Sequence, residues 1–115
     1  MQCCEMVRRS VLKRWVVEYL GTVAPGFIRH LNKLCIDIYR VDCLDLLLDD
    51  PAKLRDLLLK YNKPEVVEFI VKNLLLKPIL KKINKEHLEK TLVKTFMEDL
   101  EQFKKLVKDV VELEQ

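Results

Sequence analysis

Asp49-Asp50-Pro51-Ala52-Lys53-Leu54-Arg55-Asp56-Leu57-Leu58-Leu59-Lys60-Tyr61-Asn62-Lys63-Pro64-Glu65-Val66-Val67-Glu68-Phe69-Ile70-Val71-Lys72-Asn73-Leu74-Leu75-Leu76 contains two helix starts, each with a proline just inside the helix, where its missing N–H costs nothing. The first launches a short helix with Leu54, Leu57, Leu58 and Tyr61 on its buried side, and Asn62 is placed to end it in a left-handed conformation. The second launches a helix with so few polar positions that it reads as the most buried segment of the chain. The rest of the sequence must wrap this hairpin.

Outward from it, the composition is that of one helical domain. The chain has 115 residues, 50% of them apolar but only 7% aromatic, so Leu, Val and Ile fill the core. Two glycines and four prolines leave little loop chemistry, and the 34% charged residues are mostly Lys and Glu. The expectation is an all-α fold: a single compact bundle of five to six helices, with a core over about residues 4–83 and a long C-terminal helix over about 85–113. High Lys and Glu content, scarce Gln and short loops also match proteins from hot environments.

The first helix is expected from about Cys4 to Leu20, with Met6-Val7, Val11, Trp15 and Tyr19 recurring at helical spacing and Leu12, Val16, Val17 and Leu20 widening the stripe. Gly21 supplies the stop, and Thr22 caps a second helix with Pro25 in its first turn. Phe27, Ile28, Leu31, Leu34 and Cys35 form its inward face. Ile36-Asp37-Ile38-Tyr39-Arg40-Val41 alternates like a strand but has no partner, so it reads as an extended connector or frayed end, with Ile36, Ile38 and Val41 plugging the core. Asp42 then caps a turn or two of helix from Cys43 to Leu48. Further on, Pro78 requires the buried helix to kink or stop near Leu76-Lys77. Asn84 is placed to cap the last helix, whose seam is Phe96, Leu100, Phe103, Val107 and Val110. At ~1.5 Å per residue this helix exceeds ~40 Å, so its end is expected to project and pair with another subunit; a helix lying across the bundle with a frayed end is the alternative.

Candidate chemistry is sparse. The four cysteines, Cys3, Cys4, Cys35 and Cys43, lack the C-x-x-C spacing of a metal site; free thiols are the favoured reading and a disulfide the next. His30 has no nucleophile or carboxylate at a known catalytic spacing. Helix capping accounts for Asp42 and Asp50, and Leu46-Leu47-Leu48 stands where a calcium loop needs ligands and glycine. No glycine-rich phosphate loop is present. No enzymatic activity, catalytic residue, cofactor or metal is therefore expected.

The formal charge of +3 is too balanced to indicate nucleic acid or membrane by itself. Residues 1–40, however, carry seven Lys/Arg against three acids. If the first two helices pack antiparallel, Arg8, Arg9, Lys13, Arg14, Arg29 and Lys33 form one basic interaction face, able to meet an acidic protein or phosphates. Lys77, Lys81, Lys82 and Lys85 form a second group, and neither group interleaves aromatics for base stacking. No secretory signal or membrane span is visible, so a cytoplasmic location is expected.

The order of signals resembles the archaeal output domains, a family of short helical modules found alone or attached to sensor domains. The matching features are Leu20-Gly21 before a helix ending in His30-Leu31, the start Asp50-Pro51-Ala52-Lys53-Leu54 with Leu57-Leu58, and the helix Val66–Leu76 closing in leucines and lysines. They cover about Val11 to Ile83. The chain departs from the pattern at Tyr61-Asn62-Lys63-Pro64, where a phenylalanine-glycine turn is typical, and adds the long last helix. The resemblance implies a signalling or regulatory interaction module without catalytic residues to carry over, and the basic face of the first two helices sets a nucleic-acid-associated protein beside it as the alternative.

Overall fold

The computed structural model describes residues 7–109 and 111–112. It is all-α apart from a two-residue parallel pairing in which Val7 lies opposite Val111 and Arg8 opposite Glu112. The helices are α1 (Arg9–Val23), α2 (Phe27–Tyr39), α3 (Cys43–Asp49), α4 (Pro51–Tyr61), α5 (Pro64–Phe69), α6 (Lys77–Lys82), α7 (Glu89–Glu98) and α8 (Leu100–Lys108). A π-helical segment, Ile70–Leu76, joins α5 to α6, and a short 3-10 turn, Glu86–Leu88, precedes α7. Because α5, the π segment and α6 run on without interruption, the described residues form seven helical rods, against the five to six expected. The radius of gyration, 13.3 Å, is that of a compact domain of this length.

Local signals explain most starts. Asp42 caps α3 by accepting a hydrogen bond from the Asp45 N–H at 2.9 Å, while Pro51 and Pro64 open α4 and α5. Asp50 occupies the N-cap of α4 without a side-chain cap and instead pairs with Lys53 at 3.5 Å. Gly21 and Thr22 lie within α1, which ends at Val23, not Leu20. The stop comes from Pro25 and from Gly26, whose φ of +87° favours glycine. α2 continues through Ile36–Tyr39, the stretch read as an extended connector or a frayed helix end, because helical hydrogen bonds are available where a strand partner is not. It ends at Arg40, which is left-handed at φ +69°. Asn62 is extended, and its side-chain amide donates to the Leu58 carbonyl at 3.1 Å.

The core is lined by single stripes. Leu12, Val16 and Leu20 of α1 are buried, as are Leu31 and Cys35 of α2, whereas Ile36, Ile38 and Val41 are exposed and plug nothing. In α3, Cys43, Leu44, Leu46, Leu47 and Leu48 are all buried. Leu54, Leu57 and Leu58 of α4 are inside as expected, but Tyr61 is 57% exposed. The segment expected to be most buried divides: Val66 and Phe69 of α5 are exposed, Phe69 by 56%, and burial resumes in Ile70, Val71, Leu75 and Leu76.

Pro78 neither breaks nor stops the helix. The turn before it widens so that the Lys77 N–H reaches the Lys72 carbonyl, five residues back, and the chain continues into α6 with Pro78 in the first turn. A π turn of this kind is a standard way to carry a helix past an inserted residue or a missing donor.

The long C-terminal helix is corrected most. It breaks at Asp99 (φ −147°, ψ 81°), whose carboxylate accepts from the Gln102 N–H at 3.3 Å and caps α8. The fold-back brings Phe96 against Phe103, ring centroids 5.3 Å apart and planes at 70°, an edge-to-face contact. Both rings are 0% exposed, Val107 is also buried, and Leu100 is half-buried against the core. The described part of the seam thus closes the protein's own core, with α4 packed against both α7 and α8. Arg55 of α4 secures the corner by donating to the Met97 carbonyl at 3.2 Å. Val110 lies outside the described residues, as do Cys3, Cys4 and Met6.

Phe103→Ala is expected to cost about 3–5 kcal/mol in urea unfolding monitored by circular dichroism. Truncation after Glu101 is expected to abolish the cooperative transition. A truncated chain that still unfolded cooperatively would show that α8 is dispensable to the core.

Candidate interaction surfaces

The amino-terminal basic residues differ in how the fold engages them. Arg9 of α1 grips Asp49 of α3 with a two-pronged contact at 2.8 and 2.7 Å, and reaches Asp45 at 3.1 Å. Lys13, one turn along α1, lies 2.9 Å from Asp42 and 3.0 Å from Asp45. These pairs are spaced so that one face of α1 meets the acidic edge of α3. The hydrogen bond from Arg9 to Asp49, assisted by Asp45, raises the Arg9 pKa against the cost of burial. For Lys13, desolvation pulls downward, but Asp42 and Asp45 outweigh it and the pKa is raised. Desolvation likewise opposes ionisation of Asp42; the Asp45 backbone N–H and the Lys13 ammonium outweigh it and hold the carboxyl below its ordinary value of 3.8.

The expected basic face is therefore divided. Arg9 and Lys13 are engaged by α3, and Lys33 pairs within α2 with Asp37 at 3.3 Å. Arg8, Arg14 and Arg29 are exposed. Between α1 and α2 runs an apolar groove of about 760 Å³, lined by Val17, Leu20 and Gly21 on one wall and Ile28, Asn32 and Ile36 on the other, with Arg29, Lys33 and Asp37 at its edge. Val17 is 47% and Ile36 46% exposed. Their apolar character is legible in the sequence, but their exposure is not, because both continue helical stripes that look inward in one dimension.

On another face of α1, Trp15, Glu18 and Tyr19 meet Pro78, Lys81 and Lys82 across a cleft of about 380 Å³. Sequence reasoning separates these lysines from any aromatic, and the fold brings the two together. A third cleft, about 400 Å³, lies between α2 and α4 with Phe27, Leu34, Leu57 and Ile70 inside and His30, Tyr61 and Asn62 at its polar edge. His30 is exposed there, and its cleft brings it no cysteine, serine or carboxylate among the described residues.

Cys35 and Cys43 are free and buried. Burial, with a smaller effect from Asp42, pushes the Cys35 thiol up to about 11; burial, together with the neighbouring Cys35 and Asp42, pushes Cys43 up as well. Such thiols are poor nucleophiles and serve as small apolar side chains. Among the described residues, no group of three His, Cys, Asp or Glu side chains is placed to hold a metal ion, and no helix is long and apolar enough to cross a membrane. Comparison with protein-family models, curated proteins and solved structures finds no match.

Because the folded pKa of Asp42 lies below its unfolded value, its contribution is complete above pH 3.8 and is lost as pH falls through the lowered folded value. Asp42→Asn is expected to flatten that acid limb of the stability profile. At pH 7 it also loses its pairing with Lys13, a destabilisation of about 1 kcal/mol. Thermal melts between about pH 2.5 and pH 7, spanning the range of carboxylate titration, check both effects; an unchanged acid limb would dismiss the assignment.

Proposed function

We propose that this chain is a non-enzymatic, regulatory interaction module, which receives an amphipathic helix of another protein in the groove between α1 and α2. The reading rests on one observation: Val17 and Ile36, two large apolar side chains, stand in solvent on facing walls of a groove. Soluble domains seldom leave such surface open without a use for it. A groove between two helices suits a third, presenting apolar residues at i, i+3 or i+4 and i+7. Arg29, exposed at the edge and without an ion-pair partner among the described residues, favours a partner helix with an acidic flank.

The resemblance to archaeal output domains points to the same class of activity. A cytoplasmic setting suits the free thiols of Cys35 and Cys43. The rival, phosphate binding by the basic face of α1 and α2, is weakened because Arg9 and Lys13 already hold α3 acids.

A photo-crosslinking amino acid placed at position 36 and activated in host cells is expected to trap a protein. The same probe at exposed Asp56 of α4 is expected to trap none, and Val17→Asp to reduce the position-36 adduct at least tenfold. Nucleic acid in place of protein in that adduct, or equal capture from both positions, would refute the proposal.

A further inference from the structure

The cleft between α1 and α6 has a chemistry unlike that of the α1/α2 groove. Its walls combine two aromatic side chains, Trp15 and Tyr19, with the apolar ring of Pro78, two ammonium groups from Lys81 and Lys82, and one carboxylate, Glu18. Lys81, Lys82 and Glu18 have no ion-pair partner among the described residues, although Lys77 one turn earlier does, pairing with Glu89 at 3.5 Å. Trp15 and Tyr19 are only half-buried. The cleft thus places a net positive charge beside aromatic surface, at a volume of about 380 Å³ that suits one small ligand.

We propose that this cleft binds a nucleotide unit, with its base against Trp15 and Tyr19 and its phosphate between Lys81 and Lys82. Each part of that ligand has a counterpart in the cleft. Bases stack on aromatic side chains irrespective of sequence, and a lysine pair neutralises one phosphate. Glu18 accepts hydrogen bonds from donors on the base edge, of which guanine offers both a ring N–H and an amino group, and it repels further phosphates. An acidic peptide would satisfy the lysines but leave the aromatic wall and Glu18 without a role. The unit can come from a free nucleotide or from a single strand of RNA, which share this chemistry. The proposal is independent of the α1/α2 groove.

Trp15 is the only tryptophan in the chain, so its fluorescence reports on this cleft alone. The full chain is titrated with GMP, AMP, a short single-stranded RNA and a poly-glutamate peptide. The expected result is saturable quenching by GMP or the RNA, weakened at least tenfold in K81E/K82E and weakened by added salt. Both lysines lie at the surface, and circular dichroism checks that the variant folds. Tighter binding of the RNA than of GMP assigns the unit to a strand, and the reverse assigns it to the free nucleotide. Glu18→Gln is expected to narrow the preference for GMP over AMP. Quenching by poly-glutamate instead, or non-saturable quenching that is equal in K81E/K82E, overturns the proposal.

Discussion

Helix α3 is seven residues long, and five of its side chains are buried. A helix that short is not stable by itself in water, so its place depends on how its polar groups are satisfied once it is inside. The Asp42 carboxylate takes the Asp45 N–H, the Asn32 side-chain oxygen takes the Cys43 N–H at 2.9 Å, and the acids at its edge are matched by Arg9 and Lys13. Three elements thus converge on one: α2 supplies Asn32, α1 the two cations, and α4 continues directly from α3 at Pro51. The apolar stripes of α2 and α4 then pack on α3. Part of the positive charge at the start of the chain, that of Arg9 and Lys13, belongs to this arrangement.

Punctuation was the most legible layer of the sequence. Asp42, Pro51 and Pro64 act within their own turn, so their meaning does not depend on the rest of the fold. Burial was harder to read, because a helical stripe shows which residues share a face and not whether anything covers it. Tyr61, Phe69, Ile36 and Ile38 all lie on plausible stripes and are all exposed. The break at Asp99 did leave a local trace, an aspartate with glutamine three residues later, which is a capping-box pattern. The regular apolar spacing from Phe96 to Val107 concealed it, because the same residues satisfy a straight seam and a folded hairpin equally well.

The surfaces divide along the same line. The six basic residues were visible in the sequence, but which of them α3 would neutralise was a tertiary matter. Likewise, no spacing rule connects Trp15 and Tyr19 to Lys81 and Lys82, which meet only because α6 packs on α1. The α1/α2 groove, the Trp15 cleft and the acidic edge of α3 are different faces of one helix and its neighbours, so α1 serves as a shared wall.

The wide turn at Ile70–Leu76 also sets the rotational phase of α6. An α-helix advances about 100° per residue, so one residue more or fewer in that turn would rotate α6 as a body about its axis while leaving α5 where it is. Pro78, Lys81 and Lys82 would swing away from Trp15 together, and other side chains of α6 would take their place. A single-residue change in length at this point would therefore exchange one wall of a binding cleft for another without altering any residue in it. In this chain, surface chemistry on α1 is governed partly by the arithmetic of a turn that supplies no residue to the cleft.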